Sequence, residues 1–167
     1  TSSAVTGVVS STTAYSSDVT GQDNGGPWVK ANAFNGDLNN AASPDTNQYL
    51  TWTPSTPVPC ITGWRYRNYI SSPGSSKLLI NGVEVTPWPS TQQWSSMYPA
   101  PASGVITELK WQRASGSTAV DIAAIEVDGV ILLDGANTTT LDLTDDTELE
   151  NFRVGDVVQS SYKITSI

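Results

Sequence analysis

The sequence predicts an all-β domain built as an antiparallel sandwich, and three observations carry that expectation. Short runs rich in β-branched and aromatic residues recur through the middle of the chain. Each run is bounded by Pro, Gly, Ser or Asn, and no segment shows a convincing 3.6-residue apolar stripe. The chain of 167 residues is long enough for one domain with a real core and a small addition.

Taken in order, residues 1–26 are Ser-, Thr- and Gly-rich with weak apolar alternation, which reads as an extended lead-in with room for an edge strand. The segment "PWVKANAFNGDLNNAASPD" at 27–45 follows, with Trp28 and Phe34 bracketing a polar stretch and Asn35-Gly36 supplying a tight-turn dipeptide. Strand signals then come at 48–53, 60–70, 77–85, 105–113 and 118–133. Asn81-Gly82 and Asp128-Gly129 each sit between two strand-like pieces, the strongest short-range signal for a hairpin. Alternation puts Leu109 and Trp111 on one face, with Glu108 and Lys110 on the other. In "IAAIEV", Ala123, Ile125 and Val127 are expected inward and Glu126 outward. Trp52, Trp64 and Trp111 lie within strand-like runs and are expected in the core.

After Leu133 the composition changes. Residues 134–167 carry seven acids and two bases, with few large apolar side chains. Such a piece is too poor in apolar material for a core of its own. It is expected to form a C-terminal appendage: packed on the sandwich, opening a further module, or touching another subunit. Within it "TDDTELENFRVG" reads equally as a short helix or as a turn into a strand. The domain expectation is thus a lead-in at 1–26, a β-sandwich at 27–133 and an appendage at 134–167.

Composition excludes several chemistries. Only 14% of residues are charged, the formal net charge is -8, and no Lys/Arg run exists, which argues against nucleic acid or an anionic membrane as partner. There is no His and a single Cys, Cys60. Ser-His and Cys-His nucleophile pairs, His-based metal sites and internal disulfides are therefore absent. Cys60, beside Ile61 at a strand start, is expected to be a small buried apolar residue. A carboxylate pair among Glu84, Glu108, Asp121 and Glu126 is the one arrangement left for glycosidase chemistry. The expectation is that the chain is not an enzyme. No apolar run is long enough to span a bilayer.

Candidate binding residues follow from the aromatic balance of six Trp and six Tyr against two Phe, since Tyr and Trp join an apolar ring to a polar handle. The long segment 86–104 holds Trp88, Trp94 and Tyr98 among Pro87, Pro89, Pro99 and Pro101, with Gln92 and Gln93 as hydrogen-bonding groups. Proline lowers the entropic cost of holding such a loop open, so a ligand or partner contact is expected there. The plainer reading is that Trp88 and Trp94 fold back and plug the sandwich. Arg65 and Arg67 alternate with Trp64 and Tyr66, giving an arginine face suited to carboxylates or sugar hydroxyls, or simply to water. Asp37, Asn39 and Asn40 offer short oxygen donors: a calcium loop, or a loop that caps its own backbone through Asx turns.

The pattern Trp28…Ala33-Phe34-Asn35-Gly36-Asp37…Asn40, closed by "AAIEVDG", resembles the galactose-binding-like superfamily of discoidin-type and carbohydrate-binding modules over about 27–133. That likeness implies a jelly-roll topology. Residues 122–133 and 149–159 also look like the endings of domains in bacteriophage tail, fibre and other virion structural proteins. The pattern departs from members with a structural calcium: Ala124 stands where a Glu is usual, Asn35 replaces an Asp, and Asn40 replaces a Thr. The resemblance implies a non-catalytic structural or adhesion module of a virion, or alternatively a carbohydrate-binding module of a secreted enzyme. Its implied partners are other virion proteins or the parent chain, and a cell-surface glycan. The implied assembly is a homotrimer located on a virion, or outside the cell if not viral.

Overall fold

The computed structural model describes residues 5–11, 14–69, 74–86, 89, 91–134, 137–143, 157–158 and 162–163, with side chains described only between 14 and 134. Its strands are β1 (Val5–Ser11), β2 (Val19–Gly21), β3 (Tyr49–Trp52), β4 (Val58–Pro59), β5 (Trp64–Asn68), β6 (Leu78–Ile80), β7 (Val83–Glu84), β8 (Val105–Ile106), β9 (Leu109–Gln112), β10 (Ile122–Val127), β11 (Val130–Ile131), β12 (Asn137–Leu143), β13 (Val157–Val158) and β14 (Tyr162–Lys163). Short 3-10 helices occupy Tyr15–Asp18, Gly26–Trp28 and Lys30–Phe34.

The chain divides into two compact units. One is Ala14–Asp134; the other joins Thr1–Thr13 with Gly135–Ile167. In the second, β1 pairs antiparallel with β12 from Val5 opposite Leu143 to Ser11 opposite Asn137, and β13 pairs with β14. The acidic residues Asp145, Asp146, Glu148 and Glu150, and the apolar Phe152, Val154, Ile164 and Ile167, lie outside the described residues.

The Ala14–Asp134 unit is mostly β, and every described strand pairing in it is antiparallel. Its strands form three separate sheets: five strands in the order β2-β3-β9-β6-β7, three in the order β11-β10-β5, and the pair β4-β8. None of the three closes or curls, and this overturns the expected single jelly-roll sandwich. The physical reason is strand length. Several strands are two or three residues long, too short to carry a ladder around a closed path. The opening stretch likened to a galactose-binding-like domain is a pair of 3-10 helices followed by a turn. With the topology gone, the superfamily likeness has no structural support.

One apolar cluster joins the sheets. Leu50, Trp52, Leu78, Leu109 and Trp111 come from the five-stranded sheet, Trp64, Tyr66, Ile125 and Val127 from the three-stranded one, and Ile106 from the pair. Trp52, Trp64 and Trp111 are buried, as the alternation in their strands requires. Two aromatic groups anchor the cluster. Tyr15, Phe34 and Trp52 meet with ring centroids 5.3–5.8 Å apart, and Trp64, Tyr66 and Tyr98 with centroids 5.0–6.5 Å apart.

Strand β10 departs from the expected in-out alternation because all six of its residues are buried. A bulge between Ile122 and Ala124 shifts its register against β5. The helix Lys30–Phe34 packs on β10. Glu126, expected to face water, is only 6% exposed and is neutralised by Arg65 through two hydrogen bonds of 2.8 Å.

Candidate functional site

Among the described residues, a groove of about 510 Å³ lies between the β6–β7 hairpin and the segment Tyr98–Ser103. That volume falls in the range that small-ligand sites occupy, roughly 300–1,000 Å³. Its floor is Trp64, Ile80, Val85 and Tyr98, each under a tenth exposed. Asn81, Val83, Glu84 and Thr86 form one lip, and Pro99 through Ser103 form the other. Glu84 is the single ionisable carboxylate or ammonium group of the lining.

Each wall is fixed by local chemistry. Asn81 and Gly82 both hold positive φ, 45° and 80°, as the two-residue hairpin between β6 and β7 demands. The Asn81 side chain then reaches across to the next segment. Its Oδ1 accepts from the Thr107 and Glu108 amides at 2.8 and 3.0 Å and from the Thr107 hydroxyl at 3.0 Å, while its Nδ2 donates to the Val105 carbonyl at 2.8 Å. On the far wall, Pro99 and Pro101 restrict the backbone, and the Gly104 amide closes a turn onto the Pro101 carbonyl at 2.8 Å. Glu84 pairs with Lys77 at 3.0 Å, both side chains being about half exposed. The Trp64 indole N–H is buried and makes no hydrogen bond.

Of the sequence-predicted binding residues that are described, Tyr98 lines this groove and Arg65, Arg67, Gln92, Gln93 and Trp94 do not. Trp88 falls outside the described residues. The rest of the segment runs along the free edge of β5 rather than standing off as a loop. The Asn68 amide bonds the Gln93 carbonyl, Ser95 bonds Tyr66, and Tyr98 and Trp64 exchange two bonds of 2.8 and 3.1 Å. Two residues lie between Ser95 and Tyr98 where one lies between Tyr66 and Trp64, so the edge bulges at Ser96 and Met97. Gly63 is required at this crossing, because a Cβ there would strike the Tyr98 carbonyl. Gln92 and Gln93 are exposed, and Gln92 holds a positive φ of 53°.

Arg65 and Arg67 are drawn into the fold. Arg65 pairs with Glu126 and lies 4.9 Å from the centroid of the Trp94 ring. Arg67 forms a bridge with Trp94 and donates Nε to the Leu38 carbonyl at 3.4 Å. The 35–40 loop is closed by its own bonds. Asp37 accepts from the Asn39 amide and from the Asn40 side chain at 2.9 and 2.8 Å, and Asn35 caps the Asp37 amide at 2.8 Å. Among the described residues no group of three or more acidic or Cys side chains is placed to hold a metal ion.

The four carboxylates considered for acid-base work have different surroundings. Glu84 is at the groove lip, Glu108 beside Asn81, and Glu126 is held by Arg65. Asp121 is 1% exposed, and burial pushes its pKa up to about 6 against the opposing pull of Ser43 and Arg113. Its Oδ1 and the Arg113 Nε are both buried without a hydrogen bond.

Sequence reasoning also missed Asp128. Its carboxylate takes the amides of Ile61, Thr62 and Gly63 and the Thr62 hydroxyl, at 2.7–3.1 Å. Partial burial works to raise its pKa, but these donors prevail and hold it below the ordinary value. The Asp128-Gly129 dipeptide marked the turn, yet nothing in the local sequence named the loop it grips. Among the described residues no helix is long and apolar enough to cross a membrane.

The two functions inferred from the likeness, a virion structural or adhesion module and a carbohydrate-binding module, both rested on a jelly-roll that the chain does not form, and are withdrawn. Comparison with protein-family models, with curated proteins and with solved structures finds no match.

Proposed function

We propose that the Ala14–Asp134 unit is a ligand-binding module whose site is the groove between the β6–β7 hairpin and Tyr98–Ser103. The observation that carries this reading is the combination of about 510 Å³ of space with a floor of Trp64, Tyr98, Ile80 and Val85. Apolar floors with a few polar groups at the rim are the usual make-up of ligand sites. Both walls are fixed before any ligand arrives, one by the Asn81 hydrogen bonds and the other by Pro99 and Pro101. A wall that need not be ordered on binding costs the ligand less affinity. Transferring an apolar group onto such a floor gains about 25 cal/mol for each Å² removed from water.

An amide NMR titration with 2-phenylethanol, a small neutral molecule with one apolar ring, tests the site. Shifts confined to Asn81–Thr86 and Tyr98–Ser103 are expected, and A100W, which fills the groove, is expected to abolish them. Shifts scattered over the surface, or unchanged in A100W, would remove the groove as the binding site.

A further inference from the structure

The groove borders the end strand of the five-stranded sheet, and two features there point to one class of occupant. β7 is the terminal strand in the order β2-β3-β9-β6-β7, and its Val83 is 67% exposed. Short length and charge keep natural sheet edges from pairing indiscriminately, and β7 is a two-residue strand carrying Glu84, so a strand added there must bring a charge that matches it. Glu84 is the one carboxylate at the lip, and its pairing with Lys77 joins two half-exposed side chains. Such pairs contribute little, about 0–1 kcal/mol, so an incoming cation displaces Lys77 readily.

Resting on the ligand-site reading above, we propose that the groove takes an extended peptide segment alternating apolar and basic side chains, added alongside β7. The apolar side chains face Trp64, Val85 and Tyr98, and a lysine or arginine meets Glu84. Strand addition of this kind draws affinity from main-chain hydrogen bonds and specificity from alternate side chains. The net charge of -8 favours the approach of a basic segment over an acidic one.

The test compares acetyl-Val-Lys-Val-Lys-Val-amide with acetyl-Val-Gln-Val-Gln-Val-amide on the full 167-residue chain, by amide NMR. The lysine peptide is expected to shift Val83–Val85, Tyr98 and Ala100 and to bind about fivefold more tightly, an advantage that fades in high salt and in E84Q. K77Q, which frees Glu84, is expected to tighten it. V83K changes an exposed side chain, so it folds, and it is expected to prevent binding by placing a like charge at the edge. Equal binding of the two peptides, an unchanged E84Q, or an unchanged V83K would overturn the proposal. If 2-phenylethanol still shifts the groove in that case, the ligand site stands and only the peptide class falls. If neither peptide nor alcohol shifts it, both readings fall together.

Discussion

The two hairpin turns, Asn81-Gly82 and Asp128-Gly129, are built alike and serve the fold differently. Each opens with a residue at positive φ, 45° and 50°, followed by a glycine at 80° and 84°. Each opening side chain also leaves its own turn and staples a distant segment. Asn81 both accepts and donates, tying the hairpin to residues 105–108 and so fixing one wall of the groove. Asp128 only accepts, gathering three successive amides at 61–63 around a charged group. An amide staple ignores pH; a carboxylate staple does not. The same local signal therefore supports a neutral hinge-point beside a binding groove in one place and a charged clamp in the other.

The comparison breaks most clearly at Asn81. Substitution N81A removes five side-chain hydrogen bonds and places a side chain with a Cβ but no local hydrogen bond at positive φ, which should cost about 3 kcal/mol. Urea unfolding would show the loss. N81D keeps the turn preference but cannot donate to the Val105 carbonyl, so it should recover only part of the stability. Full recovery would mean that the turn alone, and not the staple, matters.

A second group must be accounted for before the charged staple can be read by pH. The Asp121 pKa is raised to about 6 from an ordinary 3.8. The native state therefore holds a proton that the unfolded state releases between those values, and stability falls as pH rises through that window. Its contribution is fully present below about pH 4 and lost above about pH 6. The unfolding free energy should accordingly rise by about 2 kcal/mol from pH 7 to pH 4.5, and D121N should flatten that slope. A wild-type profile that is level from pH 4.5 to 7 would contradict a buried, desolvated Asp121.

Asp128 titrates the other way. Its pKa is depressed, so its stabilisation is present above the ordinary value of 3.8 and is lost as pH falls through the lower folded value. D128A should cost about 1–2 kcal/mol at pH 7. Below about pH 3 the difference from wild type should shrink, once D121N has removed the opposing titration. D128N, keeping the turn preference without the charge, should lie between them. An acid-independent penalty would assign Asp128 to the turn and not to the clamp.

The smallest effect is expected at the 35–40 loop, where hydrogen bonding resembles that of the two staples but stays within the loop. D37A should cost less than about 1 kcal/mol, and millimolar calcium should leave the melting temperature of the wild type unchanged. A rise in melting temperature with calcium that D37A abolishes would show that an ion replaces those hydrogen bonds.

What the sequence determined by itself is local. Period-two alternation marked β3, β5 and β9 and buried Trp52, Trp64 and Trp111, because a strand's faces are set by its own residues. The Asn-Gly and Asp-Gly dipeptides marked both hairpins, because few other pairs tolerate successive positive φ. Only the tertiary structure decided which strands pair and where each ladder stops. It laid residues 93–98 along β5, where sequence suggested a free-standing loop, and it covered Glu126 with Arg65. It separated Tyr98, which faces the groove, from Trp94, which packs under Arg65. These outcomes turn on partners between about thirty and sixty residues away in the chain, whose approach depends on register and burial across the whole unit. A motif read along one segment carries no information about that approach. The likeness at 27–45 therefore failed on topology, and of its Asn35-Gly36 pair only Gly36 takes a positive φ, 79°, while Asn35 stays at −89°.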